Sequence, residues 1–147
     1  MTIIINNYKK EFVMFGSSQG TSEYARIGIE TGVAAATPHR LIVMLYDGAI
    51  QACILAIKHI ENGDIEAKGM ALSKGIMIIE SGLRLSLDKK VGGNIAVSLD
   101  DLYGYMSNRL YIANIKNNTE PVKEVLKFLV DLRGAWEAIG QKIPKAA

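Results

Sequence analysis

Apolar residues recur at intervals of three and four through four successive stretches of this chain, and each stretch predicts an amphipathic helix. In the first, Ile42, Leu45, Ala49, Ala52, Ala56 and Ile60 make one stripe. Val43, Ile50, Ile54 and Ile57 make a second, about 100° further round, which leaves Arg40, Asp47, Gln51 and Lys58 on a narrow polar face. A helix apolar on so many sides is enclosed or binds a partner. The second stretch carries Ile65, Leu72, Ile76, Ile79, Leu83 and Leu87, and the third Ile95, Leu99, Leu102, Met106, Leu110 and Ala113. The fourth shows Val122, Val125, Leu129, Leu132, Trp136 and Ile139, the seam of a bundle. The β-branched residues keep helical rather than alternating spacing, so no strand is predicted.

Punctuation between the stretches fixes their order in space. Thr37 can cap the first helix with its hydroxyl, and Pro38 supplies a preset φ where a missing amide proton costs nothing. Gly63 ends that helix and Asp64 can cap the next, which runs to about Leu87. Val91, Gly92, Gly93 and Asn94 break the chain before the third helix, and Asn117 and Asn118 close it. The last helix starts near Thr119 and tolerates Pro121 in its first turn. Short connections between long amphipathic helices force antiparallel neighbours, so the predicted fold is all-α, an up-and-down four-helix bundle. Gly69, Gly75, Gly82, Gly104 and Gly134 fall inside the helices at up to ~1 kcal/mol each, and either close helix contact or simple tolerance accounts for them.

Residues 1–36 differ in kind. Residues 16–22 have linker composition, and the segment after them alternates bulky apolar with polar or small residues, so that Tyr24, Ile27, Ile29 and Val33 need cover. The expected organisation is an arm with a displaceable cap over residues 1–36, the bundle over 37–140 and a short tail over 141–147.

With 147 residues the chain suits one domain. Its hydrophobic fraction of 49% is high, yet the longest clean apolar run, residues 41–46, is far short of the ~20 residues of a bilayer span, so no membrane insertion is expected. The first residues lack the features of a secretory leader, so a cytoplasmic protein is expected. A net charge of +2 from 17 basic and 15 acidic residues, mixed along the chain, argues against nucleic acid as a partner. The one cysteine, Cys53, cannot form an internal disulfide and suits a small buried position.

No chemistry assembles from the motifs. His39 and His59 are twenty residues apart on one helix, about 30 Å by its rise, and cannot share a metal. No Glu-x-x-His pair and no glycine-rich phosphate loop is present, and Asp100 and Asp101 point about 100° apart. No enzyme activity, catalytic residue, metal or cofactor is expected. Tyr46 and Tyr103, with Tyr105 and Tyr111, read either as core and rim packing or as the flank of a groove. Met70 and Met77, one heptad apart, have the same two readings, because methionine adapts to imperfectly matched partners.

Residues 37–50 (TPHRLIVMLYDGAI), 71–79 (ALSKGIMII), 86–88 (SLD), 92–96 (GGNIA), 102–106 (LYGYM) and 109–114 (RLYIAN), with Glu124–Val125 and Ala135–Trp136, together resemble the flagellin-specific export chaperone family FliS. The resemblance extends from about Tyr24 to Ile139. It implies a cytoplasmic helical bundle without catalysis that binds the disordered carboxy-terminal segment of flagellin, prevents premature polymerisation and delivers it to the flagellar type III export gate. It also implies that the segment at Tyr24, Ile27 and Ile29 lies over part of the binding surface when the client is absent. A client that folds on binding can wrap a large apolar surface while its ordering cost keeps release possible. The expected contact residues are Tyr24, Ile27, Ile29, Tyr46, Ile50, Ile54, Ile57, Met70, Met77 and Tyr103. Gly104 departs from the family pattern, which usually has Asp there, and Gly75 stands where it usually has Ala. The competing readings are a bundle that homodimerises on its apolar faces and an adaptor that binds an anti-sigma factor or another flagellar regulator.

Overall fold

The computed structural model describes residues 36–140, all but a few of them helical and none in a strand. The predicted arm and tail, and with them Tyr24, Ile27 and Ile29, lie outside the described residues. Helix α1 spans Pro38–Glu61, α2 Ile65–Met77 continued by a π-wound stretch Ile78–Arg84, α3 Lys89–Lys116 and α4 Thr119–Gly140. α1 packs against α2 and α4, and α3 against the same two, so α1 and α3 face each other across the diagonal of a four-helix bundle.

The helix ends follow from their local chemistry. Thr37 Oγ1 accepts the Arg40 amide at 3.1 Å, and Asp64 Oδ1 accepts that of Ala67 at 3.1 Å. Gly63, at φ 73°, makes the left-handed turn between these two helices. Asn117 ends α3 in the left-handed region at φ 51°, and Asn118 Oδ1 accepts the Glu120 amide at 3.0 Å. The third helix departs from expectation. It starts before the glycines, with Asp88 Oδ1 accepting the amides of Lys90 and Val91 at 2.8 and 3.1 Å. The break survives as a non-helical residue inside the helix, Gly93 at φ 55°, ψ −134°. Beyond it the facing residue is Ala96, fully buried, while Ile95 is exposed.

The core runs the length of the bundle, from Leu41, Leu45, Ala49 and Cys53 of α1 through Leu72 and Leu83 to Met106 and Leu110, closed by Val125, Leu129 and Trp136 of α4. Burial pushes the Cys53 thiol up to about 12. By length and composition α1 could cross a bilayer, with a mean hydropathy of 1.7, although no long clean apolar run is present. Half of that window is buried inside the protein, which is the setting of a central core helix.

Two kinds of helix glycine are now distinguishable. A Cβ on Gly75 would sit 3.4 Å from Leu110 and 3.5 Å from Ala52, and one on Gly104 3.1 Å from the Arg84 guanidinium. Gly69 and Gly134 have no neighbour within 4 Å of such a Cβ and are simply tolerated.

Candidate partner-binding surface

Tyr46 and Tyr103 correct the sequence reading. Neither flanks a groove: both are core residues, 0% and 2% exposed, whose hydroxyls share a hydrogen bond of 2.6 Å across the bundle diagonal. Phenol oxygens need a partner when buried, and at this depth the nearest one is the other tyrosine. Burial pushes the Tyr46 hydroxyl up to about 12, and burial followed by the nearby Tyr46 raises that of Tyr103. Trp136 Nε1 lies beside the Tyr46 hydroxyl without reaching hydrogen-bond geometry.

The remaining candidates divide between two faces. Ile50 and Ile57 are half-buried and Ile54 is 46% exposed on the side of α1 that turns toward α4. The register there is set by polar contacts: Arg133 Nε donates to Asp47, the Trp136 carbonyl pairs with His39 Nε2, and Arg40 and Arg133 both approach Glu137, at 4.0 and 3.9 Å. With Asp47 opposite Arg133, antiparallel pairing brings Ile50 and Ile54 level with Val130 and Leu126. Val130 is 50% exposed and Leu126 partly buried. The α1/α4 seam is therefore ionic at one end and apolar at the other. Leu126 and Val130 were missed because they lie just off the core alternation of α4, where periodicity alone reads them as flank.

Met70 and Met77 occupy a different face. They project outward from α2 at 69% and 38% exposure, and the polar strip of Asp47, Gln51 and Lys58 separates them from the isoleucines. α2 packs along α3, whose outer side carries Tyr111 and Ile115, both exposed. Lys68 closes that seam from below, nearly buried, its Nζ donating to the Asn114 carbonyl at 3.1 Å in the last turn of α3. On the α3/α4 side Tyr105 donates to both Glu124 oxygens at 3.0 Å and meets Phe128 edge-on, while Arg109 Nε reaches Glu124 at 2.7 Å. Glu124 raises the Tyr105 hydroxyl above its ordinary range, first through that hydrogen bond.

The surface thus offers two sets of exposed apolar side chains, one on the apolar half of the α1/α4 seam and one on the outer faces of α2 and α3, where exposed Ser73 and Lys74 stand between the methionines. Among the described residues no three His, Cys, Asp or Glu side chains are grouped to hold a metal ion. Such sets suit amphipathic helices laid along a bundle.

Comparison with known proteins finds relatives along most of the chain. The family model for the flagellar protein FliS matches residues 20–143. The flagellar secretion chaperone FliS of Salmonella typhimurium is 44% identical over 126 residues, covering 86% of this chain and 93% of that protein. The Escherichia coli protein of the same name is 38% identical over 121 residues, covering 82% and 89%. That of Bacillus subtilis is 38% identical over 108 residues, covering 74% and 79%.

Proposed function

Because this chain belongs to the flagellar protein FliS family, we propose that it acts in the cytoplasm as a secretion chaperone for flagellin, binding the disordered carboxy-terminal segment, holding it from premature polymerisation and delivering it to the flagellar type III export gate. The observation that carries the reading is the apolar side chains left exposed at the α1/α4 seam and on the outer faces of α2 and α3, outside a core that is buried along the length of the bundle. Ile50, Ile54 and Ile57, with Leu126 and Val130, take one client helix, and Met70 and Met77, with Tyr111 and Ile115, take another. The protein acts by shielding rather than by catalysis. The segment at Tyr24, Ile27 and Ile29 serves as the displaceable cap, within an arm of residues 1–36 ahead of the bundle.

Binding of this kind couples the client's folding to burial of apolar area, which has a calorimetric signature. Titration of the full chain with flagellin, intact and lacking its last ~40 residues, a length that supplies two or more helices by axial rise, tests it. The expected result is binding with a large negative heat-capacity change for the intact client and its loss on truncation. Equal binding of both forms, or of neither, overturns the reading.

A further inference from the structure

Arg84 sits where an uninterrupted α-helix would not put it. Met70 and Met77 stand one heptad apart on the outward face of α2, and Arg84 follows one heptad later. At ~100° per residue it would extend the same outward row. The stretch Ile78–Arg84 is π-wound over seven residues, and each advances less than in an α-helix, so the lag grows to roughly a third of a turn. That lag turns Arg84 off the row and onto α3.

There it is held tightly. Its Nε donates to Asp100 Oδ1 at 2.6 Å, and its Nη1 to the two Glu80 oxygens at 3.1 and 3.2 Å. Lys89 Nζ takes the other Asp100 oxygen at 2.9 Å. The guanidinium lies over Gly104, where an added Cβ would stand 3.1 to 3.3 Å from its atoms. These contacts hold the Asp100 carboxyl below its usual range, Arg84 contributing most. A π-wound stretch is rare and persists where neighbouring contacts favour it. Here the side-chain contact that crosses from this stretch to α3 is made by Arg84. Just beyond it Leu85 is 71% exposed in the connection to α3, whereas Ile78, Ile79 and Leu83 within the stretch are buried in the core, so a change of winding has to carry those side chains with it.

We propose that Arg84 is a latch. Tied to Asp100 across Gly104, it keeps the stretch π-wound and its own charge turned away from the methionine row. Released, it lets the stretch rewind as α-helix and brings a cation to the end of that row, where it pairs with a carboxylate of the client. Only this last step rests on the chaperone reading; the winding change is a property of the protein alone.

Three full-length variants test the two parts separately. Asp100→Asn weakens the tie, Gly104→Ala crowds the guanidinium by a few tenths of an ångström while keeping every charge, and Asp100→Asn with Arg84→Gln removes the cation as well. Amide hydrogen exchange without client reads the winding: residues 78–84 should exchange about tenfold faster in Asp100→Asn and in Gly104→Ala, with α1 and α4 unchanged. Unchanged exchange in both variants overturns the latch. Titration with a flagellin carboxy-terminal segment reads the second part. Asp100→Asn should bind on the order of threefold tighter at low salt, with the gain lost at high salt and absent in the double variant. Faster exchange with wild-type affinity overturns the pairing step and leaves the winding change standing. If the wild-type chain binds no flagellin segment, the chaperone reading fails and the exchange result alone decides the latch.

Discussion

The α1/α4 seam and the outer face of α2 are both apolar and both exposed, yet they are built on opposite terms. Along the seam Ile50 and Ile57 pack against the core, beside a neighbouring helix whose register is pinned by Arg133, Asp47, Glu137 and His39. The methionines of α2 stand on the outward face of their helix, Met70 mostly exposed, and the winding changes directly after Met77. A seam of the first kind offers a client a firm rail, whereas a row of the second kind offers flexible side chains on an adjustable support. The contrast shows that exposed apolar area alone does not define a binding face; what braces it decides how it responds when covered.

Removing the brace should produce the largest effect. Trp136 fills the junction of α1 and α4 at 1% exposure, and Trp136→Ala should cost about 3 to 5 kcal/mol in a denaturant titration. A loss of under about 1 kcal/mol would mean the seam does not depend on that corner.

Next come the faces themselves. Ile54→Asp and Met77→Asp should each weaken flagellin binding by about 2 kcal/mol while shifting folding stability by about 0.5 kcal/mol or less, read by calorimetry and by melting. Unfolding of Ile54→Asp would assign that residue to the core and leave α2 alone as the open face.

The diagonal that ties the two halves together is a smaller lever. Tyr46→Phe leaves the Tyr103 hydroxyl without its partner and should cost about 1 to 3 kcal/mol, whereas replacing both tyrosines by Phe should restore part of the loss. The same pair sets a pH dependence. Tyr46 titrates at its ordinary 10.0 when unfolded and at about 12 when folded. The unfolded chain therefore gives up its proton first, so stability is complete below pH 10 and falls as the pH rises toward 12. A flat stability profile across that window would show that the buried hydroxyl reaches solvent.

Gly69 and Gly134 should give the smallest effects, one on each side of the comparison. With open space where a Cβ would go, Gly69→Ala and Gly134→Ala should each stabilise by about 0.5 to 1 kcal/mol in thermal melts. Destabilisation at Gly69 alone would show that α2 depends on a backbone freedom that α4 does without.

Much of the fold was legible because its signals are local. Thr37, Asp64, Gly63 and Asn117 act where their chemistry says they should, and the alternation through Val122, Val125, Leu129 and Trp136 marks a face that is in fact buried. The site was legible only in part. In a helix that is apolar all round, periodicity cannot separate a core position such as Tyr46 from a flank such as Ile54, since both recur at helical spacing. Nor does a change from α to π winding announce itself: residues 78–84 read as an ordinary continuation, and the lag that turns Arg84 onto α3 appears only with the backbone in place. Asp88 preceded two lysines and two glycines, and the glycines were the louder signal, so the cap went unread.

The single cysteine lends itself to a different use. Cys53 sits against the centre of the bundle with its thiol held protonated, and a thiol reacts with alkylating reagents only as an exposed thiolate. Each labelling event therefore records a moment when α1 has come away from its neighbours. Followed by mass over time, with and without a bound client, that one sulfur becomes a clock for how often the chaperone opens and for whether its cargo slows the beat.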